Sequence, residues 1–193
     1  MSGGCGRRGS TLLELLVGTA IGLLVLGACV GGVSAAARLV RAAGARAEVE
    51  DTAQLAVEAF RFDVRRAGYD PAAIGLDGLA AAQSDQLTLH ADLDADGTLD
   101  GSSEEVTRWV CGTGPPRLSR IIGAQSLPVA APVTRCGLRY LDGAGGELVP
   151  GSTGLDTTDR RRVRRVQLDV AVAPSGSGAA AERTAEVAVR GRP

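Results

Sequence analysis

The chain has 193 residues and a formal net charge of −1, which excludes a general electrostatic attraction for nucleic acid or anionic lipid. All 21 basic side chains are arginine, and aromatic residues make up only 3%, so any core must be built from Val, Leu, Ile and Ala. Once the apolar N-terminal segment is set aside, enough chain is left for one domain of ordinary size.

The first nine residues carry Arg7 and Arg8 and end in Gly9. An apolar run follows, with Glu14 near its start and no charged side chain from Leu15 to Ala37. As an α-helix rising about 1.5 Å per residue, this run is long enough to cross a hydrocarbon core of roughly 30 Å. A carboxylate at the head of such a helix costs on the order of 2–3 kcal/mol in lipid and calls for a compensating partner. Three plainer readings compete: a secretory signal, a simple single-pass anchor, and a lipobox. In the last, Leu26-Gly27-Ala28-Cys29 makes Cys29 the lipidated N-terminus of a periplasmic protein. Glu14 sits badly at the edge of a signal core. Arg38, Arg41 and Arg46 follow the run, so flanking charge does not discriminate orientation, and the leader favours an N-terminus inside.

The leader ending in Gly9, the new start at Ser10 and the acid at Glu14, fifth from that start, resemble the type IV pilin and pseudopilin superfamily. The resemblance implies that a membrane-embedded aspartyl prepilin peptidase cuts between Gly9 and Ser10 and methylates the new amine of Ser10. It also implies that Glu14 pairs with the N-terminal amine of a neighbouring subunit during filament assembly. One departure is Ser10, where the family usually has Phe.

Beyond the apolar run, Val49, Ala53, Val57, Phe60 and Val64 recur at steps of three and four and line one helix face. Glu48, Glu50, Asp51, Glu58, Arg61 and Arg65 occupy much of the other side. Gly68 reads as the C′ stop and Pro71 forbids easy continuation, which predicts a helix from about Thr11 to Ala67. The stretch FRFDVRRAGYDP at 60–71 resembles the helix exit of PilW-like minor pilins and of J-type minor pseudopilins.

Alternation then predicts strands at 86–90, 106–110, 137–141, 166–172 and 185–190, with Gly143 to Gly154 and Pro174 to Ala181 as loops. A long helix followed by an antiparallel meander is an α+β arrangement, the layout the resemblance also implies. The expected parts are a leader at 1–9, a transmembrane or filament-core helix at 10–37, an amphipathic half of the same helix at 38–68 and a β-rich head at 69–193.

Within the head, Asp92, Asp94, Asp96 and Asp100 alternate around Gly97, a pattern that resembles an EF-hand loop wrapping Ca2+ in oxygen ligands. The pattern breaks at its twelfth position, which is Ser103, with Glu104 one residue late. A polar hairpin turn with Asp96-Gly97 supplying the positive φ is the favoured alternative. PilW-like proteins carry a similar acidic turn. Cys5 falls in the leader and Cys29 in the apolar run, leaving Cys111 and Cys136 as the pair available for a disulfide in an oxidising compartment, or as two buried thiols. His90 is the only histidine and reads as a solvent-facing strand residue, so neither a zinc site nor a Ser–His–acid triad finds its ligands, and no enzyme activity is expected. Arg160 to Arg165 form a basic run that reads as a charged strand entry rather than a DNA contact, since no aromatic residue interleaves with it.

These residues together predict a minor type IV pilin acting in pilus assembly, with a minor pseudopilin of type II secretion as the alternative. The lipid-anchored periplasmic protein starting at Cys29 is the rival of another class. The expected location is the inner membrane, single-pass with a periplasmic head, and then the filament. Expected partners are other minor and major subunits, the prepilin peptidase, the inner-membrane assembly platform and membrane lipid, but not nucleic acid.

Overall fold

The computed structural model describes residues 12–114, 116–174 and 180–189. The fold is α+β: a long N-terminal helix, α1 (Leu12–Arg66), precedes two antiparallel sheets. The chain divides into two compact units, one ending at Gly44 and the other beginning at Ala45.

In the first unit, residues 12–44 are helical throughout and expose large apolar side chains on every side, among them Leu13, Leu16, Leu24, Val30 and Leu39. One 18-residue window here has a mean hydropathy of 2.3 and no residue buried within the protein, so it is long and apolar enough to cross a membrane.

In the second unit, α1 turns amphipathic. Val49, Ala53, Ala56, Val57, Phe60 and Val64 are buried, while Asp51, Glu58 and Arg65 stay exposed, as the three-and-four spacing predicts. The helix stops where a left-handed residue is needed: Gly68 has φ +76° and its N–H donates to the His90 carbonyl at 2.8 Å.

The first sheet is a five-stranded meander of β1 (Leu79–Ala82), β2 (Gln86–His90), β3 (Val106–Thr113), β4 (Pro116–Ile122) and β5 (Gln125–Ala130). The second orders its strands β7 (Glu147–Leu148), β6 (Val133–Leu141), β8 (Arg165–Val172) and β9 (Ala181–Ala188). Both sheets and residues 49–67 share one hydrophobic cluster, with Leu87, Trp109 and Leu118 from the first sheet and Tyr140, Leu168 and Val170 from the second. Phe60 meets the Trp109 ring edge-on at 5.4 Å, one of few aromatic contacts in a core made mostly of aliphatic side chains. The Tyr140 hydroxyl donates to the Gln83 carbonyl at 2.6 Å, and its burial raises the phenol pKa.

Several expectations need correction. The head is two sheets rather than one meander. The stretch expected as a loop at 143–154 contains β7, and the loop expected at 174–181 gives way to β9 at Ala181. The basic run does lead into a strand, with Arg165 opening β8, but Arg160 to Arg162 lie in a short helix, α2 (Thr157–Arg162), capped by Asp156, whose carboxylate accepts from the Asp159 N–H at 2.8 Å. His90 is half-buried rather than solvent-facing, and that burial lowers its pKa.

Candidate functional site

Two places in the head concentrate charge, and the exit of α1 joins them. The first is a buried ion network. Asp63 lies three residues after Phe60, on the buried face of α1, and its side chain is 1% exposed. Strand register places Trp109 of β3 directly opposite Arg120 of β4. Trp109 Nε1 donates to Asp63 Oδ2 at 3.0 Å, and Arg120 donates through Nε to Oδ2 at 2.6 Å and through Nη2 to Oδ1 at 2.9 Å. Arg66 Nη2 adds an ionic contact to Oδ1 at 3.0 Å without hydrogen-bond geometry, while its Nη1 donates to Glu104 Oε2 at 2.7 Å. The hydrogen bond to Asp63 raises the Arg120 pKa, and the hydrogen bond from Arg66 holds Glu104 below the usual glutamate range. A carboxylate this buried is stable only because its acceptor capacity is filled by fixed donors. The spacing that puts Phe60 and Val64 on the core face puts Asp63 there as well, so its burial is legible in the helical count.

The second place is the acidic connection between β2 and β3. Asp92 is 0% exposed and is held by its own N–H to the Tyr69 carbonyl at 2.8 Å, just past the end of α1. Its Oδ2 accepts the Gly97 N–H at 3.2 Å across the turn, and its Oδ1 is buried with no hydrogen-bond partner. Gly97 has φ +76°, as the Asp-Gly turn requires, and a Cβ there would press on Ile74 and Ala72 at 3.3 and 3.4 Å. One carboxylate oxygen from each of Asp92, Asp94 and Asp96 lies within 4.8 Å of the others, with Asp94 and Asp96 exposed to solvent.

Asp100 is not brought into that group; both of its oxygens accept from the Ser102 hydroxyl, at 2.7 and 2.9 Å. Neither late acid completes an EF-hand. Glu104 turns to Arg66, and Glu105 folds under the loop, 4% exposed, to accept from the Leu93 N–H at 2.8 Å and the Asp100 N–H at 2.8 Å. Those amides, Asp100 first, hold Glu105 below the usual glutamate range. Asp94 goes the other way. The Asp96 N–H pulls its pKa down, but desolvation and the charges of Asp96, Glu105 and Asp92 together carry it up. The organising role of Glu105 escaped the sequence reading because it sits two residues beyond the position where the pattern seeks an acid.

Cys111 of β3 and Cys136 of β6 are joined in a disulfide with Cα atoms 5.6 Å apart, tying one sheet to the other. Three arginines of α2 and its exit meet acids: Arg161 with Asp77 and Arg162 with Asp142, each at 3.6 Å, and Arg165 with Glu186 at 2.6 Å; Arg160 donates to the Ala80 carbonyl and Arg164 to the Arg161 carbonyl. Glu14 lies exposed in the first turn of α1, and Cys29 is an exposed free thiol. Gly9, Ser10 and Cys5 lie outside the described residues. No protein-family model, curated protein or solved structure matches the chain.

Proposed function

We propose that the chain is a minor type IV pilin, inserted in the inner membrane through the apolar part of α1 and built into the filament through the same helix. The observation that carries the reading is α1 itself. A window of mean hydropathy 2.3 that the protein leaves wholly unburied continues, in one helix, into the stripe that builds the core of the head. Lipid, and then neighbouring subunits, would cover what the chain leaves bare. In this reading prepilin peptidase cuts after Gly9 and methylates Ser10, the head lies in the periplasm, and Glu14 meets the amine of an adjacent subunit. The opposite charge offsets the desolvation of Glu14 and sets axial register.

Two further features support it. Gly18 and Gly22, and again Gly27 and Gly31, sit one turn apart with nothing within 4 Å of where a Cβ would stand, which suits close approach of neighbouring helices. The Cys111–Cys136 bond suits an oxidising periplasm. The head would then contact other minor subunits, the major pilin and the assembly platform, and prime assembly.

Intact-mass analysis of the mature protein tests the processing step. A methylated chain starting at Ser10 supports the reading, and a diacylated start at Cys29 or an uncut chain overturns it. Glu14→Ala is expected to be cleaved normally yet be missing from sheared filaments; normal incorporation would refute the register role. A deletion strain that keeps its pili but loses secretion would move the assignment to a type II secretion pseudopilus.

A further inference from the structure

We propose that Asp92, Asp94 and Asp96 form a Ca2+ site that locks the acidic loop against the exit of α1. The buried member of the cluster has an oxygen without a partner. Asp92 is fully enclosed and its Oδ2 is occupied by Gly97, yet its Oδ1 has no hydrogen-bond partner. A carboxylate oxygen taken out of water without a donor is costly, and the usual remedies are a cationic side chain, a hydrogen-bond donor or a metal ion. Among the described residues no arginine stands within ion-pair distance of Asp92, Asp94 or Asp96, although Arg66 and Arg120 lie close by in the fold and are spent on Asp63 and Glu104.

The irregular donor set favours one ion. Ca2+ takes six to eight oxygen ligands in flexible geometry, whereas Mg2+ demands near-ideal octahedral geometry and sheds its water reluctantly. Three carboxylate oxygens of one loop, none more than 4.8 Å from another, are close enough to share an oxygen-ligated ion of the first kind. An all-oxygen set with no imidazole or thiolate disfavours zinc and copper. The exposure of Asp94 and Asp96 leaves the outer side of the ion to water. Asp92 N–H on the Tyr69 carbonyl and the close approach of Gly97 to Ala72 and Ile74 make the loop and the helix exit move together. Bound Ca2+ would thus stiffen the end of α1 as well as the loop. The site does not depend on the filament reading, and the test below works whatever that reading's fate.

The test uses the full chain, purified in mild detergent and stripped with chelator, melted in CaCl2, in MgCl2 and in NaCl of matched ionic strength. Weak extracellular-type sites bind with a Kd of about 0.1–1 mM, so 5 mM Ca2+ should raise the melting midpoint by about 2–9 °C. Calorimetric titration should report one Ca2+ per chain. Asp94→Asn combined with Asp96→Asn keeps the turn-forming side-chain carbonyls but removes two charges, and should abolish both signals while melting normally without Ca2+. Glu104→Gln, outside the cluster, should keep them. No Ca2+-specific shift in the unaltered protein, an equal shift with Mg2+, or a shift retained in the double variant would each overturn the proposal. If the double variant does not fold, the titration of the unaltered protein decides alone, and zero binding at 5 mM refutes the site.

Discussion

Asp63→Ala removes the acceptor at the centre of the buried network. In the native head its carboxylate takes hydrogen bonds from Trp109 at 3.0 Å and from Arg120 at 2.6 and 2.9 Å, with the Arg120 side chain only 15% exposed. After truncation, Arg120 keeps only a contact to half-exposed Glu104 at 3.6 Å, and the Trp109 N–H has no acceptor in its place. Stripping one partner from a buried charge pair costs about 3–5 kcal/mol, and the orphaned indole donor is part of that sum rather than an addition to it. At about 2–4 °C per kcal/mol for a domain of this size, the melting midpoint should fall by roughly 6–20 °C. Trp109 is the only tryptophan, so its fluorescence follows unfolding at the perturbed position itself. Arg139→Ala serves as the control, because its pair with Asp169 is open to solvent on the arginine side and contributes little. Asp63→Leu with Arg120→Met removes both charges and should recover much of the loss. A midpoint for Asp63→Ala no lower than that of the Arg139→Ala control, or a double variant no better than the single one, would refute the reasoning.

Other consequences are open to measurement. Replacing Cys111 and Cys136 with Ser opens a link of sequence separation 25 between the sheets, and should cost about 3 kcal/mol by chain entropy, read as a drop in denaturant midpoint. Asp70 accepts from the backbone N–H groups of Leu76, Ile74 and Gly75, Leu76 foremost, which holds its pKa below the usual aspartate range. A carboxyl whose folded pKa is depressed contributes stability above its unfolded pKa of about 4, and that stability drains away as pH falls through the lower folded value. The melting midpoint should therefore be level between about pH 5 and 6 and fall below about pH 4, and Asp70→Asn should flatten that fall. An unchanged slope would show that the turn at 70–76 is not a source of the acid sensitivity.

Much of the second unit was legible because local pattern and long-range burial agree there. The step of three and four from Val49 to Val64 located the buried stripe, Gly68 located the stop, and alternation located β2 residue by residue and β8 to within one residue. The elements missed are those whose local signal is weak. β1 is Leu-Ala-Ala-Ala, poor in β-formers, and β7 has two residues. β5 carries Pro128, which reads as a break, and is tolerated because the strand lies at a sheet edge. α2 is a charged turn without an apolar stripe, held by its Asp156 cap.

Residue spacing by itself determined that an uncharged apolar helix precedes an amphipathic one, that the chain then turns to strands, and that an acidic turn closes through Gly97. These follow from periodicity and from φ, which neighbours in the chain control. Which acids are sheltered, and by what, was decided only by the tertiary structure. Asp63 finds Trp109 and Arg120 at separations of 46 and 57 residues, Glu104 and Glu105 part company toward an arginine and toward backbone amides, and Asp92 alone of its cluster is enclosed. The physical reason is that desolvation and donor geometry depend on strand register and on what packs above the sheet, and neither quantity is written in the order of adjacent residues.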